Sequence, residues 1–157
     1  MQQFNFNLQH EFPKDLLVQA GYVGGLGNRL WYGYQANAAP FSAGGNASNA
    51  QARRRFEPQY FAGITRISDI AYSNYNSLQL TARKRLSAGY TMQVAYTFAK
   101  SLDVGSYADA DGATEQDPYN LLQPEYARSD FNQTHLLRIN GVWISHSSKT
   151  LASRDSS

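Results

Sequence analysis

The sequence predicts an all-β fold, an open antiparallel up-and-down meander of about five strands. Three observations carry it. Unlike residues alternate with period two over several segments, the connections between those segments alternate short and long, and the large aromatics gather at the segment ends.

The elements follow in order. Phe4, Phe6, Leu8, His10 and Phe12 alternate with Asn5, Asn7, Gln9 and Glu11, giving a strand near 4–12. A strand exposes successive side chains on opposite faces, so this run has one apolar and one polar face. Pro13-Lys14-Asp15 is a tight turn. A second strand lies near 16–23, with poorer alternation. Near 75–85, Leu78, Leu80 and Ala82 share one face, and Ser77, Gln79, Thr81, Arg83 and Arg85 share the other. Leu86-Ser87-Ala88-Gly89 turns the chain with a glycine free to take positive φ. The clearest strand, near 90–100, sets Tyr90, Met92, Val94, Tyr96 and Phe98 against Thr91, Gln93, Ala95, Thr97 and Ala99. The last, near 135–143, sets Leu137, Ile139, Gly141 and Trp143 against Leu136, Arg138, Asn140 and Val142. Tyr75 falls on the polar face by parity, and a bulge there would explain it.

Segments 24–72 and 101–131 are long, polar loops of a length unusual in compact soluble domains. Short turns at one end and long loops at the other are the pattern of a transmembrane β-barrel wall, whose strands need only ~9–11 residues to cross. Met92, Val94, Tyr96 and Phe98, with Leu78 and Leu80, are expected to face lipid, and Gln93 and Thr97 the lumen. Phe4, Tyr96 and Phe98 then fall toward the long-loop rim, and Phe12, Tyr90 and Trp143 toward the short-turn rim, as two aromatic girdles require. The expected setting is the cell outer membrane, with outer-membrane lipid as a partner.

Composition narrows the alternatives. With 14 Lys+Arg against 12 Asp+Glu, the chain has no electrostatic reason to bind nucleic acid. No apolar run approaches the ~20 residues of a spanning helix. The absence of cysteine excludes disulfides, thiolate metal sites and a cysteine nucleophile. The N-terminus alternates from the start and has no apolar h-region, so an export signal is expected on sequence outside this chain.

Several motifs bear a family resemblance. Gly21-Tyr22-Val23-Gly24 with Leu26-Gly27-Asn28-Arg29-Leu30 resembles the GYVGSxGxxL segment of Oar-like TonB-dependent receptors. Ser73 to Gln79 resembles their SNYNSLQ strand start, Lys84 to Tyr90 their KRxSxGx turn, and Tyr96 to Asp103 their YTxSKSxD segment. Asp117-Pro118-Tyr119-Asn120 is similar to a short motif of the following loop, and Arg128 to Asn132, ending at His135, resembles SDFDxRH. The motifs stand in the family's order. The resemblance implies a ~22-stranded barrel holding a plug and energised uptake of a scarce ligand. It makes residues 1–143 a fragment of the wall. The remainder of the barrel and the plug are then partners, and the TonB system is reached only through that plug. After Trp143 the sequence departs from the family's pattern, so 144–157 is expected to be a divergent, disordered tail, as a frameshift or truncation would leave.

No catalytic, cofactor or metal site is expected. His10, His135 and His146 have no ligand spacing. Asp109-Ala110-Asp111-Gly112 with Glu115 partly echoes a calcium loop, but Tyr107 and Pro118 occupy ligand positions that need oxygen donors from side chains, which favours a solvated acidic loop. Arg53-Arg54-Arg55 is read as a solvated run before an anion site. Asn46-Ala47-Ser48 and Asn132-Gln133-Thr134 match sequons that carry no information in a bacterial outer membrane. Two other readings compete: a soluble β-rich ligand-binding module, for example carbohydrate-binding, and a secreted carbohydrate-active enzyme domain. The first needs its apolar faces to meet in a core. The second needs an acid–base pair that the sequence does not offer.

Overall fold

The computed structural model describes residues 1–86, 89–106, 117 and 119–144. Among these residues six strands form one antiparallel sheet: β1 (Gln2–Phe12), β2 (Leu16–Gln35), β3 (Thr65–Leu86), β4 (Tyr90–Val104), β5 (Tyr126–Arg128) and β6 (His135–Trp143). A 3-10 turn, Gln51–Arg53, lies in the first long loop.

The first four strands pair in sequence order, as a meander should. The fifth position differs from expectation. Both β5 and β6 pair with β4, β5 beside Leu102 to Val104 and β6 beside Tyr90 to Phe98. They act as one wall strand broken by residues 129–134. The break keeps its hydrogen bonds: Ser129 N–H donates to Ser101 O at 3.0 Å, and Ala99 N–H donates to Thr134 O at 3.0 Å. Between them, Ser101 N–H donates to the Asn132 side-chain oxygen at 2.7 Å. A side chain thus replaces the missing backbone acceptor, because an N–H in a sheet edge must find a partner. The free edge of β1 and that of β6 do not meet, so the sheet is open.

The strands are longer than alternation alone indicates. β2 runs twelve residues past Val23 and β3 begins ten before Tyr75. Gly24 explains part of the difference. A side chain there would collide with the ring of Phe4 on the neighbouring strand, so the glycine is a seat for that ring and not a loop signal. Further along, the β2–β3 register shifts between Asn28 and Leu30 and again before Tyr32, with Arg29 at φ 55°. Such bulges swap parity and hide the strand from a period-two reading. The bulge expected at Tyr75 is absent. The registers through Gly25, Tyr75 and Ser101 are unbroken, so Tyr75 is an ordinary member of the polar face.

The turn 13–15 is tight because Lys14 and Asp15 both take left-handed conformations, φ 69° and 56°. Aspartate tolerates that region and lysine seldom does. The only buried apolar cluster among the described residues sits at the opposite end. Tyr32, Ala71 and Val104 are each 2% exposed, flanked by Tyr34, Ile70, Tyr72, Leu121, Leu122 and Tyr126.

Candidate functional site

The registers sort every wall residue onto one of two faces. Phe6, Tyr22, Leu78, Phe98 and His135 stand in one cross-strand row. Leu8, Ala20, Leu80, Tyr96 and Leu137 form the next, followed by His10, Val18, Ala82, Val94 and Ile139. These rows make one continuous apolar surface across five strand positions. Among the described residues no second layer covers it: β1 is exposed at every residue, and Phe6, Leu8, Leu137 and Ile139 are all at least 60% exposed. Met92, Val94, Tyr96, Phe98, Leu78 and Leu80 all belong to this face. Leu78, Leu80, Met92 and Phe98 are exposed, and Tyr96 and Val94 are half-buried by their neighbours. A soluble sheet hides such a face against a second layer; a membrane wall offers it to hydrocarbon.

Polar groups mark where the apolar rows end toward the long loops. Tyr22 O–H donates to Asn76 Oδ1 at 2.5 Å, and Asn76 Nδ2 donates to Asn74 Oδ1. The Tyr96 hydroxyl and His135 Nδ1 lie 2.8 Å apart, with the histidine ring against Phe98. Aromatics with one wet end suit a lipid–water boundary. At the other end, Tyr90 pairs with Trp143 and Phe12 with Leu16, beside the two short turns.

The opposite face is polar. Gln9, Glu11, Asp15, Leu17, Arg83, Arg85 and Thr91 line an open cavity of about 530 Å³ near the short turns. Tyr75, Thr97, Ala99, Ser101 and Leu136, roofed by Phe131, Asn132 and Gln133, line another of about 320 Å³. Gln93 and Thr97 are therefore on this side.

A model of the outer membrane beta barrel domain family matches residues 1–149 of the 157. The chain belongs to that family. This places the outer membrane beta barrel chain in the cell outer membrane, and the bare apolar rows acquire a setting. No curated protein and no solved structure matches it.

The long-loop rim of this barrel chain is organised by side chains that sequence reading did not single out. Asn37 is fully buried. Its Nδ2 donates to Phe56 O and Ala62 O, each at 3.1 Å, and its Oδ1 accepts from Phe56 N–H at 2.8 Å. Within the arginine run, Arg53 and Arg54 are half-buried and bonded to the loop, while Arg55 is exposed as expected. Arg53 donates to Pro40 O and to Asn49 Oδ1, Arg54 donates to Asn37 O, and the Arg55 guanidinium lies 5.1 Å from the Tyr119 ring centre. Tyr119 O–H in turn donates to Ala38 O at 2.8 Å, tying the second long loop to the first. Both sequon asparagines are also engaged: Asn46 Oδ1 accepts from Ser48 O–H, and Asn132 Nδ2 donates to Thr134 Oγ1. Tyr126, beyond the apolar rows, has its phenol pKa raised by burial and secondarily by Tyr72.

Among the described residues no group of three His, Asp or Glu side chains is placed to hold a metal. His10 packs edge-on against Phe12, 4.5 Å between ring centres. Asp109, Asp111, Glu115, Tyr107, Pro118 and His146 lie outside the described residues, as does the expected tail beyond Ile144. Sequence reading also missed Lys84, Lys100 and Arg128 on the apolar face. The even parity of the two lysines was the available signal; Arg128 lies in a three-residue strand too short to show one.

Proposed function

We propose that this chain is a section of wall from a larger receptor barrel of the TonB-dependent, Oar-like kind, which takes up a scarce ligand across the outer membrane. The order of the six motifs from Gly21 to His135 carries this reading. The structure supports it by giving several of them a mechanical role. The Arg128 to His135 stretch is the bonded break between β5 and β6, and Asp117 caps the turn that presents Tyr119 by accepting its backbone N–H at 2.9 Å. Met92, Val94, Tyr96, Phe98, Leu78 and Leu80 serve as lipid contacts, and the polar face with its cavities looks into the barrel. In this reading the wall performs no chemistry. It positions loops outside the cell and encloses a plug supplied by the rest of the protein.

The reading frame around the gene provides the test. It should encode a signal peptide and a plug upstream, with further alternating strands downstream. A frame with neither a plug nor additional strands would remove the uptake reading while leaving the outer-membrane assignment intact.

A further inference from the structure

Acidic strand residues are confined to one face of the wall, whereas cations occupy both. Over Gln2 to Asn28, Ser73 to Val104 and strands β5 and β6, the acidic strand residues are Glu11 and Asp103, both on the polar face. That face also carries Arg83, Arg85 and Arg138. The apolar face holds three charges, and all are cationic: Lys84, Lys100 and Arg128. Their positions are as selective as their sign. Lys84 lies opposite Met92 and Leu16 at the short-turn end. Lys100 lies opposite Asn76, one row beyond Phe98, and Arg128 lies opposite Leu102, two rows beyond it, both at the long-loop end. No ion pair to Lys100 or Arg128 is present among the described residues, and both are exposed.

We propose that the Lys100–Arg128 pair binds the phosphate of an outer-leaflet lipid, with the lipid's acyl chains lying on the apolar rows directly beneath. Three physical points carry this. Diagonal neighbours on adjacent strands stand about 7–8 Å apart. Two long cationic side chains from those positions converge on one anion, and the guanidinium offers a planar fork suited to phosphate. The ligand must be amphiphilic, because the surface below is Phe98, Tyr96, Leu78 and Leu137, continuous and uncovered. An anionic protein partner would meet the same cations but would leave those apolar rows bare. Lys84 provides the corresponding single contact at the opposite leaflet, with its stem over apolar neighbours and its ammonium at the interface.

The inference rests on the reading that the apolar face meets lipid. The test uses the complete barrel protein carrying these strands, purified from outer membranes and placed in nanodiscs of zwitterionic lipid. Native mass spectrometry then counts retained lipid after addition of a phosphorylated glycolipid or of the same lipid with its phosphates removed. Wild type should retain the phosphorylated form preferentially. A basic residue near a membrane surface contributes about 1 kcal/mol toward an anionic lipid, or about fivefold in affinity. K100Q and R128Q should each lower retention by about fivefold, and the double variant by about twenty-five-fold. R138Q on the polar face should change nothing, and K100R should restore retention in a folded barrel. Equal retention of both lipids by wild type, or unchanged retention by the double variant, would overturn the proposal while leaving the lipid-facing surface in place. Absence of any annular lipid over the apolar rows would remove both.

Discussion

The apolar band and the long-loop rim are built from the same strands, yet they are stabilised in opposite ways. In the band, Phe6, Leu8, Leu78, Leu80, Leu137 and Ile139 stand uncovered, and the described residues give the sheet no second layer. At the rim, Tyr32, Ala71 and Val104 are buried, and Asn37, Arg53 and Arg54 fasten the loop to its own backbone. The rim carries a small core and satisfied polar groups and resembles a water-soluble domain. The band is satisfied along its backbone ladders, and in the proposed reading it takes its apolar stabilisation from surrounding hydrocarbon. In that reading one chain serves two solvents, with the boundary at Tyr22, Asn76 and Lys100.

Substitutions that exchange the demands of the two regions should break this contrast. Leu80→Arg in the middle of the apolar rows should cost about 2–4 kcal/mol in the assembled barrel. Gln79→Arg, one residue away on the polar face, should stay within about 0.5 kcal/mol. Urea unfolding of the reconstituted protein measures both, and equal costs would mean that the faces are assigned wrongly.

Asn37→Ala should act on the rim alone. It leaves Phe56 N–H without its acceptor and two carbonyls without a donor, a local cost of about 1–3 kcal/mol. Limited proteolysis should then cut within 36–64 while the unfolding midpoint of the band is unchanged. A matched fall in both would show that rim and band form one cooperative unit.

A smaller, stabilising effect is expected at the short turn. Lys14 holds φ 69° and glycine reaches that conformation without strain, so Lys14→Gly should raise stability by about 0.5–1 kcal/mol. A loss would mean that the lysine makes a contact outweighing its backbone strain.

The last effect is confined to alkaline solution. Burial, and then Tyr72, raise the Tyr126 phenol above the ordinary value of 10.0. The folded rim thus holds this proton more tightly than the unfolded chain. Its contribution is present in full below pH 10.0 and is lost as pH rises through the higher folded pKa. Tyrosinate absorbance should show a late-titrating phenol that Tyr126→Phe removes.

The band was legible in the sequence because period two survives wherever one side must meet an apolar medium. Residues 4–12, 75–85, 90–100 and 135–143 were recognised for that reason. The rim was illegible for three separate causes. Glycines in β2 read as loop where they in fact seat neighbouring side chains, as Gly24 does for Phe4. Bulges around Arg29 reverse parity within one strand. The loop architecture depends on side chain-to-backbone bonds between positions 17 to 25 residues apart, such as Arg54 to Asn37 and Asn37 to Ala62, which leave no periodic trace. Of the candidate surface, Leu78, Leu80 and the Met92 to Phe98 row were visible by alternation. Lys100 was visible by the same parity but sits just beyond the apolar run, where charge reads as a strand end.

Strand direction sets a constraint of its own. With β5 and β6 counted as one, the wall crosses five times, so its first and last strands run the same way. Copies of this chain set side by side in one membrane orientation would meet at every seam with parallel strands, whatever their number. An all-antiparallel closed wall containing this section needs an odd number of additional strands, and about seventeen would bring it to ~22. Side-by-side copies of these five crossings alone would therefore form no all-antiparallel wall.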